Sequence, residues 1–208
     1  MRWPVFLLIL AAASEASAQY VVPLATADGQ VACTQGMTGL GRPPGGWRAV
    51  RDAGAPGGWA LTETTGDATD LRFPFCISTE TVARDFDAML RFKIVGGGRE
   101  QAAGLMFRAL DATDYLVVRA SALDRAVRLY RLQGGRRAQL ASREADVVPG
   151  KWHALRLMAV IDRLEVWLDG QSLFSFVDRN SVRGGAIGVW SQSDSIAHFG
   201  SLLVGRPP

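Results

Sequence analysis

The 208-residue sequence has few of the residues that most often carry chemistry. It has two cysteines, two histidines and, among 23 basic residues, only two lysines, Lys93 and Lys151. There is no His-Glu-x-x-His and no Cys-x-x-Cys, so a catalytic zinc has no basis. A Gly-x-Ser-x-Gly elbow is also missing, which removes the usual strained-turn serine nucleophile. No stretch reaches the roughly 20 apolar residues that cross a bilayer, so a membrane span is not expected. Neither charge sign dominates: 23 basic against 20 acidic residues leave +3. That balance excludes a dedicated nucleic-acid binder. A sustained 3.6-residue hydrophobic period is absent as well, and so is any fixed repeat. What is present is 48% hydrophobic residues, with 23 Gly and nine Pro dispersed along the chain, a composition that argues against disorder.

The first residues read as a secretory signal. Arg2 is the positive n-region, Val5 to Ala13 the short apolar core, and Ala16-Ser17-Ala18 a small-x-small cleavage site before Gln19. Residues 1–18 are then a signal peptide and 19–208 a single domain, placed in the periplasm or secreted. No cysteine stands at the cleavage point to anchor a lipid. Export would bring Cys33 and Cys76 into an oxidising compartment, where a disulfide is expected; the alternatives are two buried thiols or half of a metal site, which the absence of a nearby His disfavours.

Short β-type runs at Trp47 to Asp52 and Trp59 to Thr64 lie between Gly/Pro turn clusters. From Leu71 onward the pattern alternates with period two. Phe86, Ala88, Leu90, Phe92 and Ile94 share one face opposite Asp85, Asp87, Arg91 and Lys93. Leu105, Phe107 and Ala109 alternate with Met106 and Arg108, and Leu164, Val166 and Leu168 with Glu165 and Trp167. Turn signals such as Gly96 to Gly98, Asp111 to Asp114, Gly134-Gly135 and Asp169-Gly170 separate the runs. Arg143 to Val148 leaves room for one helical turn. This many half-buried strands must cover one another, which predicts an all-β sandwich or jelly roll of antiparallel strands.

Several segments carry a family resemblance: Gln101 to Arg108, Asp114 to Ala120, Val127 to Tyr130, Trp152 to Arg156, Val166 to Gly170, and Gly188-Val189-Trp190 with Asp194-Ser195. In this order and spacing the chain resembles the concanavalin A-like jelly-roll superfamily, which includes laminin G-like domains and lectin/glucanase folds. Within it the chain is most similar to bacterial exported 3-keto-disaccharide hydrolase-like proteins. The resemblance implies a glycoside or keto-sugar hydrolase. The chain departs from that group's pattern at Ser121, Ala126, 190–193 and Gly200, which weighs against carrying over a catalytic or metal role.

The residues themselves point the same way. Retaining glycoside hydrolysis needs two convergent carboxylates, and no Glu-x-Asp-x-x-Glu triplet exists. Asp85 with Asp87, or Glu165 with Asp169, has the right parity and reads more simply as a solvated face. Asp194, Ser195 and His198 are too close along one strand for a triad, because successive side chains alternate faces. His153 reads as an edge or core residue. Asp111 with Asp114, or Asp178 with Asp194, could supply a structural calcium, although aspartates in turns usually just form turns.

The most informative set is Arg108, Tyr115, Arg119, Ser121, Arg128 and Tyr130, all of non-core parity on three successive strands. On neighbouring strands they would form an arginine and tyrosine platform able to stack on sugar rings and donate bidentate hydrogen bonds. Trp152, Trp167 and Trp190 read as core. The expectation is an exported, non-catalytic protein whose partner is a carbohydrate or another cell-envelope ligand, with no cofactor. A hydrolase and a structural envelope protein are the alternatives.

Overall fold

In the computed structural model, residues 19–43, 46–180 and 183–208 are described. The expected signal peptide, and Pro44 with Gly45 of the first turn cluster, lie outside the described residues. The strands run in chain order as β1 (Gln19–Val22), β2 (Thr34–Gly39), β3 (Trp47–Arg51), β4 (Trp59–Glu63) and β5 (Arg72–Ala83). They continue as β6 (Phe86–Gly96), β7 (Ala102–Ala109), β8 (Tyr115–Ser121), β9 (Ala126–Gln133) and β10 (Arg136–Glu144). The last five are β11 (Trp152–Val160), β12 (Arg163–Leu168), β13 (Gln171–Val177), β14 (Gly185–Ser191) and β15 (Ile196–Gly205). The helical turn expected at Arg143 to Val148 is replaced by the end of β10 and an extended segment, because pairing with β9 continues to Glu144.

Two antiparallel sheets result. One has eight strands in the order β13-β12-β11-β6-β15-β4-β3, with β1 added beside β15; the other has seven, in the order β10-β9-β8-β7-β14-β5-β2. Strands close in sequence mostly pair through tight turns. Gly134-Gly135 links β9 to β10, and Asp169-Gly170, both left-handed, links β12 to β13.

Period-two alternation places one face of each sheet in a shared core. Phe86, Leu90, Phe92 and Ile94 of β6 meet Leu105, Phe107, Val118 and Leu129 of the other sheet. Each side chain so buried contributes about 1.5–3 kcal/mol of apolar transfer free energy. The alternation is reset at bulges, and one of them bears on the site. Arg108 has φ of 49°, and the pairing of β7 with β14 shifts register there. One residue is thereby added to the strand, so Ala109 joins Met106 on the outer side instead of following Phe107 into the core.

Cys33 and Cys76 form a disulfide with Cα atoms 5.5 Å apart. It fastens the segment before β2 to the middle of β5. A second tie is ionic. Arg72 and Glu63, 0% and 1% exposed, meet through two hydrogen bonds of 3.1 Å, and Arg72 also donates to the carbonyls of Ser193 and Arg42. This buried guanidinium holds the β14–β15 loop against β4 and β5.

Candidate functional site

The seven-stranded sheet has an unusual outer face. Tyr115, Val117, Arg119 and Ser121 project from β8 away from the core side of Leu116, Val118 and Ala120. Arg128, Tyr130 and Leu132 of β9 lie across from them, in the pairs Arg119–Arg128, Val117–Tyr130 and Tyr115–Leu132. On a bare sandwich these residues would be wet. Instead Met106, Val117 and Trp190 are fully buried, and with Phe73, Phe75, Tyr115 and Tyr130 they make a second apolar cluster. Gly104 makes room for it, since a Cβ there would lie 3.0 Å from the Trp190 ring and 2.9 Å from Val117. Trp190 stacks on Phe73 at 5.3 Å and donates its indole N–H to the Tyr115 hydroxyl at 3.1 Å.

Polar side chains lie over this apolar floor. The Arg137 guanidinium reaches in from the edge strand β10 to sit 4.7 Å from the Tyr130 ring and 4.8 Å from the Phe73 ring. It donates to Gln192 Oε1 at 3.0 Å; Gln192 donates to Glu100 Oε1 at 2.9 Å; and Glu100 Oε2 accepts from Arg119 at 2.6 Å. Arg119 also donates to Asp124 at 2.5 Å, and Asp124 accepts a bond of 2.6 Å from Arg128. The result is one connected chain of charge-assisted hydrogen bonds, Arg137–Gln192–Glu100–Arg119–Asp124–Arg128.

Loops at one end of the sheet position this chain. Asp194 accepts the backbone N–H groups of Gly98, Arg99 and Glu100, and Ser195 Oγ accepts that of Ala102. Gly97, with φ of +131°, is needed there, because a Cβ would fall 1.9 Å from the Glu100 carbonyl. Burial raises the Asp194 carboxyl, but the three backbone donors outweigh it and hold the group below its ordinary value. Burial also pushes the Tyr115 phenol up to about 12, against its hydrogen bonds with Thr38 and Trp190. Tyr115 is therefore a neutral anchor near neutral pH.

Five of the six residues expected on the platform share this outer face, and Arg108 does not. The left-handed bulge turns Arg108 across the sandwich end, where it donates to the carbonyls of Arg84 and Ile161. The open platform is also corrected: Tyr115, Arg119, Ser121 and Tyr130 are 6% exposed or less, and Arg128 is the half-exposed one. Glu100, Asp124, Arg137 and Gln192 complete the site and lie on loops or an edge strand, where alternation carries no signal.

The other weighed groups are engaged elsewhere. His153 stacks on Phe92 and bonds Asp169, whereas His198 bonds Asp52, so His198, Ser195 and Asp194 do not converge. Asp85 accepts the Ile161 N–H, Asp87 pairs with Arg156 and Glu165 with Arg163. Asp111 accepts from Thr113 and Asp114 in its own turn, and Asp178 pairs with Arg131. Among the described residues no group of three or more His, Cys, Asp or Glu could hold a metal ion. Trp152 and Trp167, expected in the core, are half-buried on the outer face of the eight-stranded sheet, with Arg91 and Lys93 over Trp152 and Arg156 over Trp167.

Residues 41–199 match the family model of the 3-keto-alpha-glucoside-1,2-lyase-like domain. No curated protein matches the chain. Solved structures share the fold at low identity. The carbohydrate-binding module CBM66 from Bacillus subtilis is 20% identical, with a TM-score of 0.62 over 78% of this chain and 96% of that one. A Bacillus subtilis protein of unknown function with a galectin-like fold is 15% identical, with a TM-score of 0.57 over 83% and 89%. Domain 4 of AbnA, an extracellular arabinanase from Geobacillus stearothermophilus, was solved with arabinotriose; it is 12% identical, with a TM-score of 0.53 over 83% and 82%.

Proposed function

This chain belongs to the 3-keto-alpha-glucoside-1,2-lyase-like domain family, and from that premise we propose that it is an exported protein that binds a saccharide on the outer face of the seven-stranded sheet. One observation carries the reading: an apolar floor of Phe73, Met106, Val117 and Trp190 lies under a hydrogen-bonded layer of arginines and acids on the outside of a sandwich. The guanidiniums and carboxylates of that layer can meet the rim of hydroxyls of a sugar, while the dry floor beneath holds them in position. The disulfide fits an oxidising compartment, and among the described residues no helix is long and apolar enough to cross a membrane.

The test is calorimetric titration of neutral and acidic oligosaccharides into the mature protein and its Arg128→Ala variant. Arg128 is 28% exposed and its Asp124 partner keeps Arg119, so its loss should change the melting temperature little while weakening binding about 30-fold, the size of a ~2 kcal/mol contact. Binding that survives the substitution intact would remove the face from consideration.

A second reading is favoured by one side chain. Glu100 is a partly exposed carboxylate beside the Arg119 guanidinium, as an elimination next to a sugar carbonyl would require of a base and a polarising cation. Release of aglycone from a 3-keto-glucoside, abolished by Glu100→Gln, would establish it. Tight binding without turnover would leave the chain a binding module.

A further inference from the structure

The cations of the proposed binding face are not equally engaged. Around it stand four guanidiniums, Arg99, Arg119, Arg128 and Arg137, and four carboxylates, Asp70, Glu100, Asp124 and Asp194. Arg99 pairs with Asp70, Arg119 with Glu100 and Asp124, and Arg128 with Asp124. Among the described residues Arg137 forms no ion pair, with Glu100 and Asp70 as its more distant acidic neighbours. Its contacts are the neutral Gln192 amide and the rings of Phe73 and Tyr130. A guanidinium has five N–H donors, and one of them is used here. The two rings and the Gln192 bond hold the group in place, so the remaining donors lose little entropy on engaging a ligand.

Resting on the saccharide-binding reading, we propose that Arg137 selects a carboxylate-bearing sugar, a uronic acid residue, gripping its carboxylate with the guanidinium fork while the ring lies over the polar layer. Two features favour a carboxylate over a neutral hydroxyl. The bidentate fork matches two oxygens of one planar group, and the apolar rings beneath strengthen a charge pair that water would otherwise screen. The edge position of β10 leaves the group within reach of solvent, for Arg137 is only half-buried.

The experiment compares oligogalacturonate with a neutral gluco-oligosaccharide of equal length, titrated into the mature protein at two salt concentrations. The uronate should bind about ten-fold tighter or more, the range of a hydrogen-bonded charge pair, and the advantage should shrink with salt. Arg137→Gln should bring the ratio of the two affinities to about one, and Arg137→Lys should restore part of it. Arg91→Gln, on the opposite face, should leave the ratio as in the wild type and so excludes an effect of overall charge. Melting curves identify any variant that fails to fold, and the lysine variant then carries the test. Equal wild-type binding of the two sugars, or no uronate binding at all, overturns the proposal. A preference that persists in both Arg137 variants also overturns it. If both sugars bind equally and both weaken in Arg128→Ala, the face remains the sugar site and only the selectivity falls. If neither sugar responds to Arg128→Ala, the site itself falls.

Discussion

Each sheet carries a tryptophan laid over a glycine on its outer face, and the two sites have opposite fates. Trp190 lies over Gly104 on the seven-stranded sheet and is 0% exposed. Trp152 lies over Gly200 on the eight-stranded sheet, its ring 2.9 Å from where a Cβ would sit, and is half-exposed with Arg91 and Lys93 above it. The difference is in the acids. Around Trp190, Glu100 and Asp124 draw the arginines into a linked layer that closes over the apolar floor. Around Trp152 the cations are spread out: Lys93 pairs with Asp52, and Arg156 pairs with Asp87 and lies on Trp167. Arginine and aromatic content alone does not mark a site. Connected charges that keep an apolar surface dry distinguish one face from the other.

The most disruptive substitution should be Arg119→Ala. Arg119 is 2% exposed and links Glu100 to Asp124, so its removal leaves Glu100 to Gln192 and Asp124 to Arg128 and opens a gap over the apolar floor. Losing one partner of a buried pair costs about 3–5 kcal/mol. Chemical denaturation should show that loss. A loss under about 1 kcal/mol would mean the layer is wet and the two faces are alike.

Removing the disulfide provides a destabilisation that touches neither face. Cys33→Ala with Cys76→Ala should cost about 2–4 kcal/mol, largely by freeing the unfolded chain. The fold should persist, and Trp190 should remain shielded from a soluble fluorescence quencher while Trp152 stays accessible. A gain in Trp190 quenching would show that the tie to β5, which carries Phe73 and Phe75, also holds the floor in place.

On the other face the ion pairs should matter less. Arg156 donates to Asp87 through bonds of 2.8 and 2.7 Å, but its side chain is 39% exposed. A double-mutant cycle should give a coupling of about 1 kcal/mol or less. A coupling several times larger would bring this face into the same class as the one around Arg119.

Much of this was legible in the sequence. Period two identified the core rows of β6 and β12, and it put Tyr115, Arg119, Ser121, Arg128 and Tyr130 on one face. Arg108 was misplaced because a single left-handed residue resets the count, and nothing in Met106-Phe107-Arg108-Ala109 announces a bulge. Burial of the face was not legible either. It depends on Glu100, Gln192 and Arg137, which meet from two loops and an edge strand. Only the three-dimensional path of the chain brings them together. Tryptophan exposure was hidden for a related reason: Trp190 lies across Gly104 of the neighbouring strand and Trp152 reaches over β6 to Gly200, so strand parity gives a ring's side of the sheet but not its exposure.

The last effect shows its pH dependence only in acid. Asp52 lies beside Lys93 and His198 on the eight-stranded face. Burial raises its carboxyl, but hydrogen bonds from Lys93 and His198 and from the Gly54 backbone outweigh this and bring it down to about 2. The folded value lies below the unfolded value of about 3.9, so the folded state favours the ionised form. The stability this contributes is complete above about pH 4 and is lost as the pH falls through 2. Carbon-detected NMR titration should place the Asp52 midpoint near 2. Asp52→Asn should lose less stability than the wild type between pH 4 and 2, and the two should run parallel above pH 5. A midpoint near 4 would mean that Lys93 and His198 leave Asp52 to water in solution. The eight-stranded face would then hold no persistent ionic cluster in that region, and the contrast with the network around Arg119 would be sharper still.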